Sequence, residues 1–181
     1  PKIAVIYAIG GTSMDDGIKA RNLVKYVEAA MNSSNVKAIV LRVDSPGGDA
    51  LASDLIAEVL RKGKGKKPII VSQGYVAASG GYWLSMFADT IIAAPNTITG
   101  SIGVIGSFLF NKTLKQDLGL SVDHVQKGKF ADLGFGATLP LIGISLPDRD
   151  FTDEELKMAE TGIKTLYKGF VEKVALGRKK S

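Results

Sequence analysis

Three runs rich in β-branched residues, Lys2 to Ile9, Val36 to Val43 and Pro68 to Gln73, are separated by stretches whose apolar residues recur at helical spacing. This alternation constrains the fold more than any other feature. A strand apolar at nearly every position needs cover on both faces, and a parallel neighbour is reached only through a crossover long enough to hold a helix. The pattern predicts an α/β fold, a mainly parallel sheet flanked by helices and joined by right-handed crossovers.

The spacing places Ile18, Leu23, Val24, Val27, Ala30 and Met31 on one helical face, and Leu51, Leu55, Ile56, Val59 and Leu60 on another. Further on it predicts a helix from Ser79 to Ala88, a strand from Thr90 to Ala94 and a loop from Asn96 to Gly106. A short helix over Asn111 to Leu118 and a strand over Ser121 to Gln126 follow. Lys127 to Asp150, with its glycines, prolines and scattered apolar residues, reads as a long loop that is functional or covered by a partner. Thr152 and Glu155 form a capping box for a last helix through Leu176.

With 181 residues, 45% hydrophobic and 23% charged, the chain reads as a single globular domain core. The lack of cysteine excludes disulfides and thiolate metal sites, and a single histidine argues against histidine metal clusters. No apolar run approaches the roughly 20 residues of a membrane-spanning helix. Pro1 in place of Met, followed at once by a strand, suggests a piece of a longer chain whose targeting segment has been removed. The net charge of +5 comes largely from two clusters, residues 61–67 and 178–180, each following a helix. They read as solvated helix ends, with anionic lipid headgroups as the alternative. Without interleaved aromatic residues they do not suggest nucleic-acid binding.

Nucleophilic serine chemistry requires a hydroxyl at a tight turn, a base, and amide donors aimed at the developing oxyanion. Ser79 lies between a strand and a helix, flanked by the small residues Ala77, Ala78, Gly80 and Gly81. The alternative is a helix start that merely packs closely. Gly47 or Gly48, after Pro46, could supply one oxyanion N–H and Gly80 the other; a structural turn would carry the same residues. His124, the only histidine, sits in an expected strand and reads as a packed or surface residue rather than a triad base. A lysine base would instead need a desolvated ammonium.

Three segments, Asp44-Ser-Pro-Gly-Gly-Asp49, Ala77-Ala-Ser-Gly-Gly-Tyr82 and Thr99-Gly-Ser-Ile-Gly-Val104, in this order and spacing, resemble the signal peptide peptidase A family of Ser-Lys peptidases. That family is related in fold to the Clp protease subunit and the crotonases. The resemblance implies Ser79 as nucleophile, Gly47 or Gly48 with Gly80 as oxyanion hole, and Ser101 orienting a lysine base, with no cofactor. It also implies a membrane-associated parent acting outside the cytoplasm, a ring-like homo-oligomer, and short apolar peptides such as released signal peptides as substrates. Tyr75, Tyr82 and Trp83 are candidate pocket walls, with core packing as the alternative for each.

The family's lysine falls in a stretch resembling Lys-x-Gly-x-Tyr-Lys-Asp, which here reads Gln126-Lys-Gly-Lys-Phe-Ala-Asp132, so Ala131 stands where the base belongs. Three explanations remain open. The chain is the C-terminal half of a fused two-unit member whose other half supplies the lysine; or the lysine was replaced to inactivate the protein; or Lys129 or Lys127 takes over, or the domain is silent. Lys129 lies two residues away, about 6.6 to 6.8 Å along an extended chain. That exceeds the roughly 2.6 to 3.2 Å reach of a general base. The competing functions are a non-catalytic peptide-binding or assembly domain and a crotonase-like acyl-CoA enzyme.

Overall fold

Strand β1 (Lys2–Ile9) pairs in parallel with β4 (Val36–Ser45), β4 with β5 (Ile69–Ala78), and β5 with both β6 (Thr90–Ile92) and β7 (Ile98–Gly100). A computed structural model describes residues 1–108, 117–119, 123–133, 135–139, 144–147 and 149–180. They fall into two compact units, 1–104 with 166–181, and 105–165.

In the first unit the register sets Ile6, Ala8, Ile39, Leu41, Val43, Ile69 and Val71 on one sheet face, where they are buried under helices α1 (Ala20–Asn32) and α2 (Ala50–Gly63). The cover expected on both faces is not found at β1, which ends the strand order: on its other face Ile3, Val5, Tyr7 and Ile9 are exposed. Helix α1 buries the expected stripe at Leu23, Val27, Ala30 and Met31, while Ile18 lies in the short strand β3 (Ile18–Lys19), paired with β2 (Thr12–Ser13). Helix α2 departs from expectation: Leu51 and Leu55 are exposed, and Ala52, Ser53, Ile56, Ala57, Leu60 and Gly63 are buried. Beside Ile56 and Leu60 the contact uses small residues, which allow the closest backbone approach. Met31 lies against Gly63, and Ser53 against Gly80.

The helix expected from Ser79 to Ala88 is regular only over α3 (Gly80–Trp83) and continues as turns closed by Ser85 and Met86 N–H groups on the Tyr82 carbonyl. Trp83, Leu84, Met86 and Phe87 are all buried, so this segment runs through the core with no solvent face to give it helical amphipathicity. The last helix, α4 (Asp153–Arg178), belongs to this unit from Leu166 onward. There Phe170 stacks on Trp83 at 4.1 Å, Lys173 pairs with Asp54, and Arg178 donates to the Ala88 carbonyl at 2.9 Å. Of the basic cluster, Lys67 closes the end of α1, its ammonium donating to the carbonyls of Ala30 (2.7 Å) and Ser33 (2.5 Å).

In the second unit, the stretch read as a long loop contains an antiparallel pair, β8 (Gly136–Leu139) with β9 (Ile144–Pro147). Cross-strand hydrogen bonding satisfies backbone groups that an open loop would leave to solvent. Residues 123–126 form no strand, and the rest of the expected strand, with most of the expected helix at Asn111 to Leu118, lies outside the described residues. The capping box forms as expected: the Glu155 carboxylate accepts from Thr152 N–H at 2.8 Å, and the Thr152 hydroxyl accepts from Glu155 N–H at 3.3 Å. Among the described residues, no helix is long and apolar enough to cross a membrane.

Candidate active site

Ser79 stands between β5 and α3 at φ 51° and ψ −119°, a region that non-glycine residues rarely enter. Such strain at a strand-to-helix turn lifts a side chain clear of the sheet and persists only where the surroundings enforce it. Here Ser79 N–H donates to the Gly100 carbonyl at 2.9 Å, and the Ser79 carbonyl accepts from Trp83 N–H at 2.9 Å. Its hydroxyl makes no capping hydrogen bond, which leaves it to other chemistry. Below the turn, buried Gln73 donates to the Ser85 hydroxyl, which donates to the Gly81 carbonyl.

The Pro-Gly-Gly loop lies directly against this turn. A Cβ on Gly47 would stand 2.6 Å from Gly80 N and 2.9 Å from Ser79 Cβ, and φ at Gly47 is 102°, so only glycine fits. The loop is clasped from below by Thr12, whose N–H donates to the Gly47 carbonyl and whose carbonyl accepts from Asp49 N–H, both at 2.8 Å. Asp49 also caps α2, accepting from Ala52 N–H at 2.7 Å.

This geometry discriminates between the two candidate glycines. Gly47 N–H donates to the buried Ser45 hydroxyl at 3.1 Å and is already occupied. The N–H groups of Gly48 and Gly80 have no hydrogen-bond partner among the described residues, and a Cβ on Gly80 would lie 3.2 Å from Gly48 N. Two unpaired amides thus flank Ser79. Ser101 is brought next to the Ser79 turn by the β5–β7 pairing of Ala78 with Gly100; it is exposed and also holds a positive φ, 47°. Sequence reading gave no sign of Ser45 and Thr12, whose hydroxyls lie 3.4 Å apart beneath the loop, because their part depends on strands 33 residues apart.

The aromatic candidates separate. Trp83 is not a pocket wall: it is only 6% exposed, stacked on Phe170, with its indole N–H donating to Asp54 at 3.1 Å. Tyr82 is half-buried against the same cluster, whereas Tyr75 is 70% exposed.

The remaining candidates lie in the second unit. Ala131 sits in a run of tight turns, its N–H 3.4 Å from the Gly128 carbonyl. Lys129 pairs with Glu154 at 2.5 Å on the exposed surface, so its ammonium is engaged there. Lys127 is exposed. His124 packs at 4.9 Å against Phe135, its Nε2 3.2 Å from Gln126 Oε1, so its ring is engaged locally. Arg149 binds Asp132 through Nε and Nη2, at 2.7 and 2.9 Å, and both Glu155 oxygens at 2.8 Å. The guanidinium holds the Glu155 carboxyl down at about 2 and lowers that of Asp132.

The family model for peptidase family S49 matches residues 61–181, which include the serine turn, Ser101 and the stretch around Ala131. The chain belongs to peptidase family S49. Among S49 relatives it is 35% identical to a chloroplastic serine protease SPPA of Arabidopsis thaliana, over 98% of this chain and 26% of the relative. It is 37% identical to Protease 4 of Haemophilus influenzae, over 99% of this chain and 28% of the relative. The S49 chain described here thus spans about a quarter of the length of these two proteins. A ClpP1 variant of Listeria monocytogenes superposes with a TM-score of 0.57 at 15% identity, covering 98% of this chain and 73% of that one, which establishes a Clp protease-like fold.

Proposed function

We propose that this S49 chain carries the nucleophile and oxyanion hole of a serine endopeptidase, whose general-base lysine is supplied by another part of the parent protein or assembly. The observation that carries the proposal is the strained Ser79 turn with the unpaired N–H groups of Gly48 and Gly80 beside it. Ser79 Oγ attacks the scissile carbonyl carbon, the lysine accepts the hydroxyl proton, and the carbonyl electron pair moves onto oxygen, where the two amides stabilise it. Collapse expels the amine, which takes the proton from the lysine, and water releases the acyl group. Ser101 orients the lysine. The substrates are short, apolar, extended peptides, with signal peptides as the natural class, bound by strand-like main-chain pairing beside Tyr75. The parent is membrane-associated and assembles as a ring-like homo-oligomer.

Ala131 and the surface pairing of Lys129 support a base from outside the chain. A fluorophosphonate probe applied to the full-length protein tests the reading: labelling is expected, and Ser79→Ala must abolish it. Absence of labelling in the assembled protein would favour a non-catalytic peptide-binding domain. Applied to this chain alone, the probe should react weakly, and Ala131→Lys in an assembled oligomer should raise the rate.

A further inference from the structure

Between β4 and β5 the parallel register breaks: Val43 pairs with Gln73, but Ser45 pairs with Ala77. Over two residues of β4, β5 advances four. Gly74, Tyr75 and Val76 thus face the single residue Asp44, a bulge with a surplus of two immediately before the Ala77-Ala78-Ser79 segment. Such an insertion removes ladder partners from its own backbone groups and bends the strand, so something must take up the orphan groups and fix the bend.

The half-buried side chain of Asp44 does so. Its Oδ1 accepts from Val76 N–H at 3.1 Å and its Oδ2 from Tyr75 N–H at 3.3 Å. Gly74 is glycine where the carboxyl group passes, since a Cβ there would stand only 2.5 Å from Asp44 Cγ. On the other side, the Thr97 hydroxyl donates to the Gly74 carbonyl at 2.8 Å. Asp44 is also the penultimate residue of β4, which leads into the loop that carries Gly47 and Gly48, and its own carbonyl accepts from Gly10 N–H at 2.9 Å. One residue therefore holds both halves of the site, its backbone leading into the oxyanion loop and its side chain clasping the strand that ends in Ser79.

We infer that Asp44 is a positioning residue that sets the alignment of the Gly48 and Gly80 amides with Ser79 by clasping the bulge at Tyr75 and Val76. The inference rests on the assignment of Ser79 as nucleophile. Its consequence is selective. Loosening the clasp acts chiefly on the donors fixed against the developing oxyanion, which the bound peptide meets only in the transition state, and a misplacement of about 1 Å costs on the order of a hundredfold in rate.

The test uses the full-length protein. Asp44→Asn keeps the shape but sets an NH2 group against one of the two N–H donors, and Asp44→Ala removes both acceptors. Both are expected to slow fluorophosphonate labelling of Ser79 by roughly tenfold to a hundredfold and to lower kcat with KM for a peptide nearly unchanged. A peptide aldehyde, whose adduct places an oxyanion in the hole, should bind more weakly by the same factor, while the matching peptide alcohol binds as before. Gly74→Ala, which displaces the carboxyl group without removing it, should reproduce the selective loss and serves if Asp44→Ala does not fold. Equal weakening of aldehyde and alcohol, or wild-type labelling in Asp44→Asn, overturns the inference. If the wild-type protein itself is not labelled, the assignment of Ser79 falls with it; labelling of the wild type that is insensitive to Asp44 overturns this inference alone.

Discussion

The turn at Ser79 is held by backbone: glycine against glycine, carbonyls and amides from β2, β5 and β7, and a clasp of side-chain oxygens on main-chain N–H groups. The stretch around Ala131 is held by charge: Arg149 spanning Asp132 and Glu155, and Lys129 on Glu154. The first arrangement tolerates almost no added atom. The second leaves room for side chains but depends on its carboxylates remaining charged. A reacting centre needs the former, because oxyanion donors work only when fixed before the charge develops. A segment that presents or lacks a base can be carried on ion pairs.

The difference is broken most sharply at Gly47. Gly47→Ala places a Cβ 2.6 Å from Gly80 N at a φ that alanine resists, and should cut fluorophosphonate labelling of Ser79 in the full-length protein by about 10²–10³-fold. A variant that reacts at the wild-type rate would refute the close-packed site. Trp83 tests the support beneath it. Trp83→Ala should cost about 3–5 kcal/mol in denaturant unfolding, since it opens a cavity beside Phe170 and removes the indole N–H that donates to Asp54. A pocket-wall tryptophan would instead affect peptide KM and spare stability.

The charge-held region should betray itself through pH. Arg149 lowers the Glu155 carboxyl from its ordinary 4.5 to about 2 and the Asp132 carboxyl below its ordinary 3.8. Because the folded values lie below the unfolded ones, this stabilisation is complete above about pH 4.5 and is lost as pH falls through the folded values towards 2. Protection of the amides around Thr152 against hydrogen exchange, taken relative to the intrinsic rate at each pH, should therefore fall across that window, and Arg149→Met should remove most of that dependence. Thr152→Ala, which dismantles one half of the capping box, should cost about 1 kcal/mol. The smallest effect belongs to Tyr75→Ala: within about 0.5 kcal/mol in stability for so exposed a residue, with its influence confined to peptide KM.

Much of this was legible along the chain because it is local. The strand at Lys2–Ile9, the α1 stripe and the Thr152–Glu155 box follow from period and spacing alone. Helix α2 was misread at Leu51 and Leu55 because hydrophobicity marks what prefers burial, whereas close backbone approach selects small residues such as Ala52, Ser53 and Gly63. The β8–β9 pair was hidden among glycines and prolines that also mark loops.

By itself the amino-acid order determined the α/β alternation, the serine turn with its glycines, and the absence of a lysine at position 131, since each resides in covalent sequence and short-range pattern. Tertiary structure alone decided that Gly48 rather than Gly47 has the free amide, that Trp83 is core, and that Asp44 clasps the strand leading to Ser79. Those outcomes depend on which hydrogen-bond partners distant strands bring within about 3 Å, a distance that sequence spacing does not encode.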